Sequence, residues 1–370
     1  MPEEAQFDKL KQKPLVLFSP LDWGFGHTIR CIPLIETLIR LNCSVLIACN
    51  HSQSDLLKPL FPSCTFVELQ GYGIRYGRTA LGTRFRLLFQ IGRILSRIRE
   101  ENHWLRELIK TRQIHGIVSD NRYGLYAPQI PAVLITHQLR IQSGWGRMAD
   151  NLLQTLHYRF IRRFRQCWVP DSHDLPGAAG NLSHPHRFPS IPINYLGCLS
   201  RFEPCTSFEN RSFLLILLSG PEPQRSMLEA ILLQQLGDVN ESVVLVRGTL
   251  FQPDVVNESA NVSIINYAST PELNRLVFNA RLVIARSGYT TIMDLLKLKK
   301  KSILIPTPGQ TEQEYLGGHL MKQQWALAVE QKEFSLANAL KKAKTFPFQT
   351  VDWDMEQYKR VVEEWVKTIL

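Results

Sequence analysis

Apolar runs of strand length, each followed by a stretch with helical spacing, recur along the whole chain. The first half opens with the run PLVLFSP (14–20), then a polar, glycine-containing turn, then a helix expected over 27–41. Further buried strands are expected at 44–49, 64–69, 116–119 and 132–136. Leu88, Ile91, Leu95, Ile98, Leu105 and Leu108 fall on one helical seam within 84–112, with a break expected near 100–103. The same grammar restarts at 212–220, with a helix over 223–236 and strands at 242–247, 262–266, 282–285 and 302–306. Alternation of this kind predicts parallel sheets with helices between the strands. The expected fold is therefore α/β, with two Rossmann-like domains whose parallel sheets face each other across a cleft. Residues 1–200 form the first domain in this reading, 201–350 the second, and 351–370 a helix packing back toward the first. The later part of 176–210, rich in Pro, Asn, Ser and Gly, reads as the linker.

Length and composition support this division. A chain of 370 residues is too long for one ordinary core and suits two α/β domains. Its seven cysteines are scattered, with no Cys-x-x-Cys pair, so a reducing compartment is expected, without a disulfide framework or a zinc site. The polar start MPEEAQFDKLKQK has the pattern of neither a signal nor a transit peptide. The longest apolar runs fall far short of the roughly 20 residues of a membrane span. A soluble cytoplasmic protein is expected, at most peripheral at the inner face of the membrane. Net charge is +10, and residues 84–112 and 159–165 together contribute nine of it. Such a surface suits an anionic partner, a lipid headgroup or a phosphorylated acceptor. Nucleic acid is the weakest candidate, because no nucleic-acid-binding motif accompanies the charge.

Polar residues cluster where strands should end. Gly24 and Gly26 sit between the first strand and helix, where glycine lets a ligand approach a helix N-terminus, and His27 follows them. The third glycine of a dinucleotide fingerprint is replaced by Ile29, and strand two ends in Cys49-Asn50 without an acid, which disfavours a dehydrogenase. Ser219-Gly220 and Gln224-Arg225-Ser226 join a strand to a helix in the second half and suit a diphosphate, although Pro221 and Pro223 supply no N–H. Ser287, Gly288, Tyr289, Thr290 and Thr291 offer hydroxyls and amides to phosphate, Asp294 lies one turn on, within reach of a ribose, and Gln313 with Glu314 follows the next strand to meet sugar hydroxyls. In the first half Asp120, Asn121, His137 and Gln138 should face the same crevice as acceptor contacts, His137 reading equally well as a hydrogen-bonded structural histidine. The loop Gly71–Arg78 suits either acceptor contact or a plain surface turn. No GxxxxGK[ST] loop is present, against an ATPase, and Asp354 of Asp352-Trp353-Asp354 reads as a helix N-cap rather than a metal ligand.

At these motifs the chain resembles the GT-B glycosyltransferases, specifically the MurG-like group. Arg286-Ser287-Gly288, an acid six residues after the glycine, and Gln313-Glu314-Tyr315 carry the likeness, extended by GFGH at 24–27. The resemblance implies ribose binding by Asp294, donor-sugar binding by Gln313 with Glu314, and His27 as base. The family's Glu is shortened here to Asp294, its second Gln is Glu314, and its glycine-rich second-domain loop is replaced by SGPEPQR. The activity implied is transfer of a sugar, an N-acetylhexosamine among the candidates, from a UDP-sugar to an acceptor hydroxyl. Inversion is expected, with no metal or other cofactor required, His27 as base and Asp22 as its reserve. The acceptor class implied is a lipid-linked or lipopolysaccharide precursor of a cell-envelope glycan. A nucleotide-sugar hydrolase or 2-epimerase shares the architecture, and a non-catalytic nucleotide-sugar-binding subunit is the third reading.

Overall fold

In the computed structural model, residues 13–73, 80–205, 213–249 and 261–370 are described, apart from the side chains of 80–89 and 238. Residues 74–79, most of the expected polar loop, lie outside them, as do the side chains of Arg84, Arg86 and Leu88. The first sheet comprises β1 (Leu15–Ser19), β2 (Ser44–Cys49), β3 (Thr65–Glu68), β4 (Gly116–Asp120), β5 (Ala132–Ile135), β6 (Gln166–Val169) and β7 (Ile193–Tyr195). The second comprises β8 (Leu214–Leu217), β9 (Val243–Val246), β10 (Val262–Ile265), β11 (Leu282–Ala285), β12 (Ser302–Leu304) and β13 (Leu327–Ala328). Their orders are β3-β2-β1-β4-β5-β6-β7 and β10-β9-β8-β11-β12-β13. Every pairing between these strands is parallel. Strands such as β4 and β5 are buried along their whole length because helices cover both faces of the sheet. In each sheet the order reverses beside its first strand, between β1 and β4 and between β8 and β11. A crevice opens at the carboxyl ends of the strands at such a reversal, and ligands of parallel sheets bind there.

Three strands escape the sequence pattern: β6, β7 and β13 are two to four residues long, too short for a period to show. The long helix of the first domain, Ala80–Thr111, runs without the break expected near 100–103. Its mid-helix polar residues bond a neighbouring loop instead. Glu101 receives Arg122 Nη1 (2.8 Å), the Tyr72 hydroxyl (2.7 Å) and the Gly124 amide (3.2 Å), while Asn102 donates to the carbonyls of Gly124 and Tyr126.

The largest apolar cluster extends from β1 through Leu196, Leu199 and Phe202 of the connecting segment to Val283, Met293 and Leu295 of the second domain. The last helix, Gln357–Lys367, lies on the first domain, with Trp365 edge-on to Trp168 at 5.6 Å. A Cβ on Gly116 would stand 2.6 Å from the Trp365 ring, so glycine is required for that approach. The N-cap of this helix is Glu356 rather than Asp354, which lies two residues earlier and accepts from the Glu356 amide (3.0 Å) in the preceding turn.

Candidate active site

The turn after β1 brings a histidine to the crevice. Gly24 adopts φ 86°, a left-handed conformation that favours glycine, and helix α1 (Phe25–Arg40) starts immediately after it with no side chain capping its first amides. His27 therefore sits in the first turn, beside the end of β4. Its Nδ1 lies 2.9 Å from Oδ2 of Asp120, a fully buried residue. A carboxylate at that distance requires the proton on Nδ1, which leaves the lone pair on Nε2. The side chain of His27 is 17% exposed.

Arg30, one turn further along α1, fastens the same carboxylate from the other side. Its Nε donates to Oδ2 at 3.1 Å, its Nη2 donates to Oδ1, and the Cys31 thiol adds a contact at 3.6 Å. Burial would raise the Asp120 pKa, but Arg30 and His27 outweigh it and hold the carboxylate well below its ordinary range. Burial, followed by the Arg30 charge, lowers the His27 pKa against the opposing pull of Asp120. At neutral pH the pair is thus a neutral imidazole on an ionised carboxylate, the form in which histidine accepts a proton.

The second domain closes over this pair. Helix α2 (Tyr289–Lys297) begins after Gly288, again without a side-chain cap, and Thr290 donates its hydroxyl to the Gly26 carbonyl at 3.0 Å. The Tyr289 ring stacks on His137 at 4.1 Å and 8°, and its hydroxyl donates to the Pro170 carbonyl at 2.6 Å. His137 Nδ1 lies 3.2 Å from Arg30 Nη1, and its Nε2 lies 2.7 Å from Oε1 of Glu312. Gln138 donates to the other oxygen of Glu312. Glu312 belongs to α3 (Thr311–Lys322), whose first residue bonds the Gln142 carbonyl at 2.9 Å.

The remaining residues singled out from the sequence take mixed positions. Asp22 accepts from the amides of Tyr72 (3.1 Å) and Gly73 (3.5 Å) and stands 3.8 Å from Arg122, so its carboxylate organises a loop. Asp120 supports His27 from beneath rather than facing an acceptor, because burial and two partners enclose it. Asn121, next to it, holds φ 53° at the end of β4. Gly220 is exposed with φ 100°, and Arg225 is bound to Glu222 and Glu229. The Ser287 hydroxyl donates to the Gln313 carbonyl, and the Gln313 side chain turns inward to the Thr307 amide (3.0 Å) and Gln310 (2.6 Å). Glu314 is exposed and accepts from the Gly309 amide. The acid that reaches the cleft from this segment is Glu312, a neighbour of the pair singled out. Asp294 is buried, with Ser200 donating to it, and burial raises its pKa to about 6 against Arg201, Ser200 and Lys297.

Arg286, buried at the end of β11, has no acidic partner among the described residues. It donates to the carbonyls of Gln224, Ile305 and Pro306, and its Nε is unpartnered, as is the buried Thr307 hydroxyl. Sequence reasoning missed Arg30 and Glu312. Arg30 lies three residues after His27 on one helix face, the spacing that could have exposed it.

An apolar surface also begins beside the cleft. Helix α4 (Arg147–Ile161) carries Met148 and Leu152, 89% and 73% exposed, with Trp145 and Leu156 on the same line. Arg147 opens this helix, and exposed Arg159, Arg162 and Arg163 lie at and just beyond its end. No acidic partner is found for these arginines among the described residues, and Arg163 lies over the rings of Tyr126 and Phe160. No helix of the described residues is long and apolar enough to cross a membrane.

Residues 224–357 match the model of the glycosyltransferase family 28 C-terminal domain. No curated protein sequence matches the chain. Among solved structures it is similar to the glycotransferase of kitacinnamycin, with TM-score 0.66 and 12% identity over 97% of this chain and 96% of that one. The glycosyltransferase SnogD from Streptomyces nogalater gives 0.60 and 14% over 97% and 100%. MurG of Acinetobacter baumannii gives 0.56 and 14% over 97% and 99%. The fold is GT-B, with two parallel-sheet domains facing across one cleft.

Proposed function

We propose that this chain transfers a sugar from a nucleotide-sugar, a UDP-sugar by the resemblance of residues 285–320, to an acceptor hydroxyl. The observation that carries the reading is the His27–Asp120 pair: the imidazole Nε2 has no partner among the described residues, and the Gly26 carbonyl just before it accepts from Thr290 at the uncapped start of α2 in the opposite domain. The acceptor hydroxyl gives its proton to His27 Nε2 as its oxygen attacks the anomeric carbon. The bond from that carbon to the phosphate oxygen breaks, and its electron pair leaves with the nucleoside diphosphate. Attack opposite the leaving group inverts the anomeric centre. Asp120 stabilises the imidazolium that forms.

The leaving charge is met by the amides of Gly288, Tyr289 and Thr290 at the start of α2 and by the positive field of buried Arg286. No step requires a metal. Asp294 holds the ribose.

The acceptor is an amphiphile presented at an anionic surface. Exposed Met148 and Leu152 on a helix bounded by Arg147 and Arg159 have the composition of an interfacial helix, and Gln142, five residues before that helix, accepts from Thr311 of the second domain. A cytoplasmic chain resting on the inner face of a membrane, acting on a lipid-linked acceptor, fits this surface.

The test is a thermal-shift screen of UDP-, GDP-, CMP- and dTDP-sugars, followed by turnover of the tightest binder with and without amphiphilic acceptors. Stabilisation by UDP-sugars and acceptor-dependent release of UDP are expected. Stoichiometric donor loss without acceptor would move the assignment to hydrolysis. Binding without turnover would move it to a carrier subunit.

A further inference from the structure

The side chains behind His27 form one continuous hydrogen-bonded series that ends on the other domain. Asp120 joins His27 to Arg30, Arg30 reaches His137, and His137 reaches Glu312 of α3. We propose that Glu312 and His137 are positioning residues forming a closure latch, through which the second domain holds Arg30 square on Asp120 and thereby orients His27. The proposal rests on His27 being the base.

Tautomer chemistry gives the latch its direction. A carboxylate oxygen 2.7 Å from His137 Nε2 requires the proton on that nitrogen. Nδ1 then carries a lone pair and accepts from Arg30 Nη1 at 3.2 Å. Arg30 is thereby fixed at three nitrogens, two on Asp120 and one on His137. Without Glu312 the neutral ring is free to carry its proton on Nδ1, and that N–H would face the N–H of Arg30. The ring itself is sandwiched against Tyr289, also from the second domain. Both restraints on His137 thus exist only while the domains meet, so the alignment of the base is tied to closure. Gln138, donating to the other oxygen of Glu312, keeps the carboxylate aimed at the ring.

The experiment compares Glu312→Ala and Glu312→Gln with the parent by nitrogen-resolved NMR of labelled histidine, with no donor present. In the parent, His137 is expected as the Nε2–H tautomer, and the His27 Nδ1–H should exchange slowly. In Glu312→Ala, His137 should become a mixture of tautomers and the His27 proton should exchange rapidly. Glu312→Gln, whose carbonyl still accepts from Nε2–H, should retain the parent signals once Gln138 turns its amide. In turnover, Glu312→Ala should lower kcat at least tenfold with donor KM within a few-fold, and Glu312→Gln should recover most of the loss. Unchanged histidine signals in Glu312→Ala overturn the latch even if kcat falls, since the acid then acts on substrate alone. The predicted signals in a protein that turns over no nucleotide-sugar would keep the latch and reject the transfer reading.

Discussion

Thr290 donates its hydroxyl to the Gly26 carbonyl at 3.0 Å, so the start of helix α2 rests on the loop that carries His27. A Cβ at Gly26 would stand 3.2 Å from that same hydroxyl oxygen, a separation that forces the neighbour to yield by a few tenths of an ångström. Gly26→Ala and Thr290→Val should therefore loosen the closed cleft by different means, one by intrusion and one by loss of a hydrogen bond. A lost bond of this kind is worth about 0.5–1.5 kcal/mol, or roughly two- to tenfold in kcat/KM. Small-angle scattering should show a more open form in both variants. Parent-like scattering and kinetics in both would mean the contact does not govern closure.

The His27–Asp120 geometry predicts a defined acid limb. Because burial and Arg30 lower the His27 pKa, kcat/KM should rise with pH through a value below 6.5 and then level off. His27→Ala should abolish turnover while UDP affinity stays within a few-fold. Asp120→Asn removes the charge that favours the imidazolium, so the limb should move to lower pH and kcat should fall by about 10²–10⁴-fold. Near-parent turnover in His27→Ala would remove the residue from the mechanism.

The repeating alternation made the fold legible, because buried parallel strands need continuous apolar runs and their lengths survive in the sequence. Strands β6, β7 and β13 were hidden by brevity, and the 80–111 helix looked broken because Glu101 and Asn102 serve a distant loop. Candidate site residues at strand ends were visible as polar exceptions to apolar runs. What a sequence does not carry is direction: adjacent Glu312, Gln313 and Glu314 look interchangeable, yet helix geometry sends one into the cleft, one inward to Thr307 and one to solvent. Arg30 was hidden because a charged residue in an amphipathic helix ordinarily marks the solvated face. Here it is buried, and only the position of Asp120 explains why.

The exposed line on the 147–161 helix predicts selective adsorption. Vesicles containing phosphatidylglycerol should sediment the protein, and neutral vesicles should do so weakly. Met148→Glu combined with Leu152→Glu should abolish sedimentation while leaving Tm nearly unchanged, because both side chains are mostly in water already. Replacing Arg159, Arg162 and Arg163 with Gln should weaken binding and its dependence on salt. Equal binding to neutral and anionic vesicles would remove the electrostatic half of the reading.

Asp294, the residue proposed to hold the ribose, also makes stability depend on pH. Its pKa is about 6 in the folded chain against an ordinary 3.8, with burial the leading cause, so folding binds a proton there more tightly than unfolding does. The stabilisation from that proton is fully present below about pH 3.8 and is lost as pH rises through about 6. At pH 8 the folded chain carries a buried carboxylate whose cost is of order 2–3 kcal/mol, from about 1.4 kcal/mol per pKa unit. Asp294→Asn has no such charge, and its amide oxygen still accepts from Ser200. The variant should thus melt higher than the parent at pH 8 and close to it at pH 4. It should also lose most of the UDP-induced rise in Tm, because one carboxylate oxygen is no longer offered to a ribose. An Asn variant no more stable at pH 8 would refute the charge cost. One that kept the full UDP response would place the ribose elsewhere.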